Sequence, residues 1–174
     1  MDYLSYKLVK ANIEMIEEIN KIYLNCRDAL LEQGILQWDE FYPNKAYFHE
    51  CIENEFLNVL MENNSILGHV VLSEWQSEEW KVINWEKKNP TIIHSLMINP
   101  LVQGRGLGPV LVKLCEEYAM DNGYDSVRLD AFSNNAKVLY LYKKLGYQKR
   151  GSVFFKSKPI GHQEYICFEK GLQI

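Results

Sequence analysis

Between an apolar run that ends at Asn99-Pro100 and a helical stretch that begins at Leu107, the chain sets Gly104, Gly106 and Gly108 at alternate positions, in the segment INPLVQGRGLGPVLVKL. Glycine in a helix interior costs roughly 1 kcal/mol against alanine, so three beside a helix start need a reason. One reason is tight packing of strand against helix. The other is an anion site: bare amides at a helix N-terminus point outward, and the helix dipole adds about 0.3 to 1 kcal/mol of attraction. Three glycines in five residues exceed what a turn requires, and packing alone remains open. Both readings set the glycines between a strand and a helix, so the chain must bring elements of both kinds together here. The glycines do not fit a P-loop, because no Lys-Ser or Lys-Thr follows them. They do not fit a dinucleotide loop either, since in GRGLGP the third glycine comes one position early and the loop lies past the middle of the chain.

The surrounding pattern supplies the other elements. Leu107, Val110, Leu111, Leu114, Cys115, Tyr118 and Ala119 fall three and four apart, with Pro109 tolerable in the first turn and Gly123 suited to end the helix. Residues 3-9 read as a strand, and Met15, Ile16, Ile19, Ile22, Tyr23, Cys26 and Leu30 form a helical stripe that starts from Ala11 and stops near Gly34. GILQWDEFYPNK is an aromatic-rich loop, followed by a short helix to about Glu53. Segments 56-62 and 66-73 flank Asn63-Asn64-Ser65 and make a hairpin; 76-89 is a polar excursion carrying Trp80 and Trp85, suggestive of a lid. Thr91-Ile98 and Ser126-Phe132 are strands, Asn135 caps a helix with stripe Val138, Leu141, Tyr142 and Leu145, and Tyr147-Phe155 and Gln163-Glu169 close the chain as strands. That order gives an α/β sandwich around a mixed sheet.

At 174 residues the chain is expected to form a single domain, 1-174. A net charge of only -4 argues against a general affinity for nucleic acid or anionic membrane. The charged start MDYLSYKLVKANIEMIEEI lacks the apolar core of a signal peptide, and no apolar run approaches a membrane span, so a soluble cytoplasmic protein is expected. Cys26, Cys51, Cys115 and Cys167 lie far apart without a CxxC pair and read as reduced, buried small hydrophobes; the histidines show no HExxH spacing, so no metal is expected.

QGRGLG fits the pattern Gln/Arg-x-x-Gly-x-Gly/Ala, and here the chain resembles the GNAT superfamily of acyltransferases, in which such a loop holds the pyrophosphate of coenzyme A. IIHSLMINP looks like that family's preceding strand. NAKVLYLYKKLGY is similar to its Asn-x-x-Ala-x-x-Leu-Tyr-x-x-x-Gly-Phe helix, with Asn135, Leu141, Tyr142 and Gly146 matching, Val138 in place of the usual Ala and Tyr147 in place of Phe. The motifs cover about residues 90-150. The resemblance implies a GNAT-type acyl-CoA N-acyltransferase fold: a central mixed, mostly antiparallel sheet of about seven strands flanked by about four helices.

It further implies acetyl-CoA as co-substrate and a primary amine, of a small molecule or a protein, as acceptor, joined by direct attack in a ternary complex. Gln103, Gly104, Arg105, Gly106, Leu107 and Gly108 would cradle the pyrophosphate, with Arg105 adding charge. Backbone groups of Leu96, Met97 and Ile98 would bond the pantetheine arm, and the Met97 amide would polarise the thioester carbonyl. Asn135 would secure the other side of the cofactor. Tyr142 would protonate the departing thiolate, although its place on the apolar stripe also suits a core tyrosine. For the base, Asp130 leads, at a position where some members place a glutamate; His94 follows, with Glu40 and Glu74 behind it, and a water relay can replace any of them. Trp38, Phe41 and Tyr42 would wall the acceptor pocket, with Asp39 or Glu40 drawing a cation, or else they pin the loop to the core. The oligomeric state is open, a homodimer included. Two other classes are a CoA-binding module without catalysis and, well behind, a nicotinamide-dependent oxidoreductase.

Overall fold

The computed structural model describes residues 5-173. Strand β1 (Tyr6-Lys10) leads through a 3-10 turn, Ile13-Met15, into helix α1 (Ile16-Glu32). Asn12 caps that turn by accepting from the Glu14 amide, so the helical segment expected from Ala11 begins later and in two steps. The start of the expected first strand lies outside the described residues. Helix α2 (Lys45-Glu53) is capped by Asn44, whose side chain accepts from the Tyr47 amide. The hairpin strands β2 (Leu57-Glu62) and β3 (Ser65-Ser73) turn at Asn63, which takes a left-handed φ of 54°. There follow β4 (Pro90-Ile98), α3 (Leu107-Asp121), β5 (Ser126-Phe132), α4 (Ala136-Lys144), β6 (Gln148-Phe154) and β7 (Glu164-Gly171).

These strands form one seven-stranded sheet in the order β1-β2-β3-β4-β5-β7-β6, antiparallel throughout except between β4 and β5. The expected mixed, mostly antiparallel sheet with four flanking helices is therefore present. Leu107, Val110, Leu111, Val112, Cys115 and Ala119 of α3 bury against Leu129, Ala131 and Phe168 on one face. On the other, Ile19, Ile22, Tyr23 and Cys26 of α1 and Phe48 of α2 pack with Val59, Val71 and Met97. All four cysteines are buried and unpaired, as expected of small hydrophobes. Among the described residues, no helix is long and apolar enough to cross a membrane.

One break in the sheet positions everything that follows. Parallel β4 and β5 pair only at Pro90, Thr91 and Ile92 against Ser126, Val127 and Arg128; beyond them β4 has no ladder partner on that side and the strands part. A bulge accompanies the parting: Met97 lies opposite His69 but His94 lies opposite Val71, so β4 carries one extra residue, and Ser95 takes a φ of 49°. The bulge brings the Met97 carbonyl against Gly68, where an added Cβ would sit 2.3 Å from that oxygen, so only glycine fits.

The 76-89 excursion is strapped down. Glu169, fully buried, pairs with Arg128 Nε at 2.9 Å and Arg150 Nε at 3.2 Å, and accepts the Glu86 amide at 2.8 Å. Arg128 also lies 4.4 Å from the centre of the Trp85 ring and donates to the Lys87 carbonyl. In place of a free lid, the segment is anchored through a buried ion pair beneath it.

Candidate functional site

Where β4 and β5 part, a cavity of about 1000 Å³ opens. One wall is β4 from Ile93 to Ile98 with the loop after it; the other is Leu129-Ala131 of β5 with Asn135 and Tyr142 of α4. Trp38, Tyr42, Trp80, Phe155, Lys158 and Tyr165 close the far end.

The glycine loop meets the cavity through Gln103, Gly104, Gly106, Leu107 and Gly108. Gly104 and Gly106 take φ of 88° and 71°, left-handed values at which a side chain is strained. Gly106 is the N-cap of α3 and supplies no side-chain cap. The amides of Gly104, Arg105 and Gly106 make no hydrogen bond among the described residues, and those of Leu107 and Gly108, in the first turn, have no intrahelical acceptor by position. Packing does not require the third glycine: a Cβ on Gly108 would make an ordinary contact of 3.5 Å with Leu141 Cδ2. The result is a cluster of free N-H groups at the positive end of a fifteen-residue helix, a shape and charge that fit a phosphate. The Arg105 guanidinium, expected beside it, turns instead to Glu62 Oε1 at 2.7 Å and the Tyr6 hydroxyl at 3.1 Å, leaving the backbone as this residue's contribution. Gln103 Nε2 donates to the Ile98 carbonyl at 3.3 Å and so ties the loop to the end of β4.

Leu96 and Ile98 turn backbone to the open edge, whereas the expected contribution of Met97 is not available there: its carbonyl faces Gly68 on β3 and its side chain is buried in the α1 face of the core. Asn135 is buried at the N-cap of α4; its Oδ1 accepts from the Val138 amide at 3.3 Å, and its side-chain Nδ2 makes no hydrogen bond among the described residues. Tyr142 is 5% exposed and lines the cavity, packed edge-on to Tyr147 with ring centres 5.5 Å apart. Its hydroxyl makes no hydrogen bond among the described residues, and burial, then Cys115 and Asp130, push its pKa above the usual value, so the phenol keeps its proton.

Along β5, Leu129 and Ala131 face α3 and α4, whereas Asp130 points to the opposite side, where Trp80 donates its indole N-H to Oδ2 at 3.0 Å. Burial raises the Asp130 carboxyl to about 6, against the opposing influence of Trp80 and the Lys158 charge. The carboxylate is thus ionised near neutrality yet basic enough to accept a proton. His94 also lines the cavity; its Nε2 lies 3.1 Å from the Trp75 carbonyl, and burial lowers it to about 4, which keeps the ring neutral. Glu74 accepts from Tyr124 outside this cavity.

On the acceptor side, Trp38 and Tyr42 line the cavity, and Tyr42 stacks edge-on against Tyr47 at 4.9 Å. Asp39 uses Oδ1 to accept the Phe41 and Tyr42 amides at 2.8 and 2.9 Å, shaping the loop. Phe41 and Glu40 are exposed and do not line the cavity, so no carboxylate of this loop does: Asp39 is held by the loop backbone and Glu40 faces outward. Sequence reading did not anticipate Lys158 and Tyr165, which come from the β6-β7 connection and β7, or the bond between Trp80 and Asp130. The one available signal was the pair of tryptophans, Trp80 and Trp85, in a largely polar excursion.

Comparison with known proteins says which family has a strand-splayed sheet of this kind, with an uncapped helix terminus at its opening. The sequence model of the Acetyltransferase (GNAT) family matches residues 14-147. A thialysine N-epsilon-acetyltransferase of Bos taurus is 31% identical over 138 residues, covering 78% of this chain and 76% of that protein. An uncharacterized N-acetyltransferase of Methanocaldococcus jannaschii is 32% identical over 69 residues, 40% of this chain, and the human N-acetyltransferase 8B is 36% identical over 53, 30% of this chain. These two alignments span 30% and 23% of those proteins' own lengths. An acetyltransferase of the GNAT family from Streptococcus agalactiae has the same fold, with a TM-score of 0.84 at 20% identity over 97% of this chain and 96% of that one. The chain belongs to the GNAT acetyltransferase family and carries its N-acetyltransferase domain.

Proposed function

We propose that residues 1-174 act as one domain that transfers the acetyl group of acetyl-CoA to the primary amine of a small molecule. The observation that carries this is the row of unbonded amides from Gly104 to Gly108, opening on a cavity that also holds Asp130 and Tyr142. The amides and the α3 terminus bind the diphosphate, the free edge of β4 at Leu96 and Ile98 bonds the pantetheine arm, and Asn135 holds the other side. A cytoplasmic setting is supported by the four buried, unpaired cysteines.

Chemistry follows from what faces the opening. The acceptor ammonium gives a proton to Asp130, and its nitrogen attacks the thioester carbonyl, whose oxygen takes negative charge against a backbone amide of the open β4 edge, at Ile98 rather than at Met97, whose main chain turns to β3. As the C-N bond forms and the C-S bond breaks, Tyr142 donates its proton to the leaving sulfur, the second N-H proton of the tetrahedral adduct restores the phenol, and Asp130 returns its proton to solvent; the products are an acetamide and the free thiol. Trp38, Tyr42, Phe155 and Tyr165 present aromatic faces to the acceptor. A small acceptor is supported by two hydrogen bonds that tie the loops over this end, Lys158 Nζ to the Gln37 carbonyl at 2.8 Å and His162 Nε2 to the Gly34 carbonyl at 3.3 Å. The thialysine named for the bovine relative belongs to this class. Acetyl-CoA incubated with a panel of amines should yield free thiol; no release with any amine would remove the assignment.

A further inference from the structure

The acceptor end of the cavity is lined by two opposite charges, neither of which has an ion-pair partner among the described residues. Asp130 has one carboxylate oxygen on Trp80 at 3.0 Å and no donor on the other. Lys158 gives one N-H to the Gln37 carbonyl at 2.8 Å, leaving two, and its ammonium lies 5.8 Å from the centre of the Tyr42 ring. Both line the same cavity without forming an ion pair; Asp130 feels the Lys158 charge, and Lys158 feels first Asp39, which does not line the cavity and whose Oδ1 is held by loop amides, and then Asp130. Burial works against both charges, raising the pKa of the acid and lowering that of the amine. Two separated, partly desolvated charges of opposite sign are matched by a ligand that carries both complements. A diamine would satisfy Asp130 and place its second cation toward Lys158.

We infer that the acceptor is an amino carboxylate, its amine at Asp130 and its carboxylate on Lys158. This rests on the acetyl-transfer reading of the same cavity and narrows it to free amino acids and their close analogues. Lys158 thereby selects the substrate: two N-H groups remain for a carboxylate, and its bond to Gln37 fixes the ammonium relative to Trp38 in the facing loop.

The test compares each amino acid with the amine that lacks its carboxylate: alanine with ethylamine, ornithine with putrescine, lysine with cadaverine. Thiol release from acetyl-CoA by the full chain is followed for each. At least one amino acid is expected to exceed its partner in kcat/KM by about tenfold or more, the range of a charge-assisted hydrogen bond. Lys158→Gln should collapse that ratio mainly by raising KM for the amino acid, and Lys158→Glu should invert it toward the diamine. Because each ratio is taken within one preparation, loss of folded protein in a variant cancels. Equal use of both partners in every pair, or a ratio unmoved by Lys158→Gln, overturns the inference and leaves acetyl transfer standing. No thiol from any acceptor overturns acetyl transfer, and the inference with it.

Discussion

Asp130→Asn removes a charge and little else. The side chain keeps its size and an oxygen for the Trp80 indole, so the packing of β5 against the 76-89 strap should persist. With the carboxyl raised to about 6, the base is about nine-tenths ionised at pH 7 and about one-tenth at pH 5. The kcat/KM profile at saturating acetyl-CoA should therefore show an acid limb centred near 6, falling about tenfold per pH unit below it. In the Asn variant, transfer should drop on the order of 10²-fold or more, about 3 kcal/mol of barrier, with CoA affinity unchanged and the limb gone. Trp80→Phe withdraws the donor that favours the ionised form, so its limb should move to higher pH while its plateau survives. Thiol release measured from pH 5 to 9 reads all three proteins. An Asn variant within threefold of the parent, retaining the same limb, would remove Asp130 as the base and assign the proton to a water relay.

Three further outcomes follow from the geometry. Tyr142→Phe should slow transfer on the order of tenfold or more with CoA affinity nearly constant, measured by steady-state kinetics and CoA titration; unaltered turnover removes Tyr142 from the mechanism. Arg128→Met leaves Glu169 buried with only the more exposed Arg150 beside it, and should cost about 3-5 kcal/mol in urea unfolding, against less than 1 if the strap is decorative. His69, fully buried with Nε2 on the Ile19 carbonyl, is lowered to about 4 by burial, so the unfolded chain protonates first as pH falls. Stability is whole above pH 6.5 and should decline toward pH 4 by on the order of 3 kcal/mol through this ring. His69→Met should flatten that slope in urea titrations at pH 7 and 4.5; an equal slope would place the titration elsewhere.

Much of the architecture is local and was therefore legible in the sequence. The α3 stripe, the Asn135 cap and the 126-132 strand appear where periodicity and capping chemistry put them. The glycine loop takes the left-handed backbone its composition invites. What escaped depends on partners distant in the chain. The bulge at Ser95 exists because Gly68, on the neighbouring strand, makes room for it. Arg105 finds Glu62 and Tyr6 only once β1 and β2 are paired, and no local pattern announces that it will leave the loop. Trp80 and Asp130 stand fifty residues apart, as does the strap from Glu169 by more than eighty, so a lid and an anchored segment read alike in sequence. Glu40 looked suitable by type, but the Asx turn at Asp39 directs the loop so that Tyr42, not Glu40, meets the cavity.

The most direct measurement is calorimetric titration of the purified, folded chain with CoA. Saturable binding of one CoA per chain is expected, weakened by Gly106→Val, which puts a branched side chain at a φ of 71° among the free amides. No heat of binding even at millimolar CoA would contradict the anion site from which the whole mechanism is built.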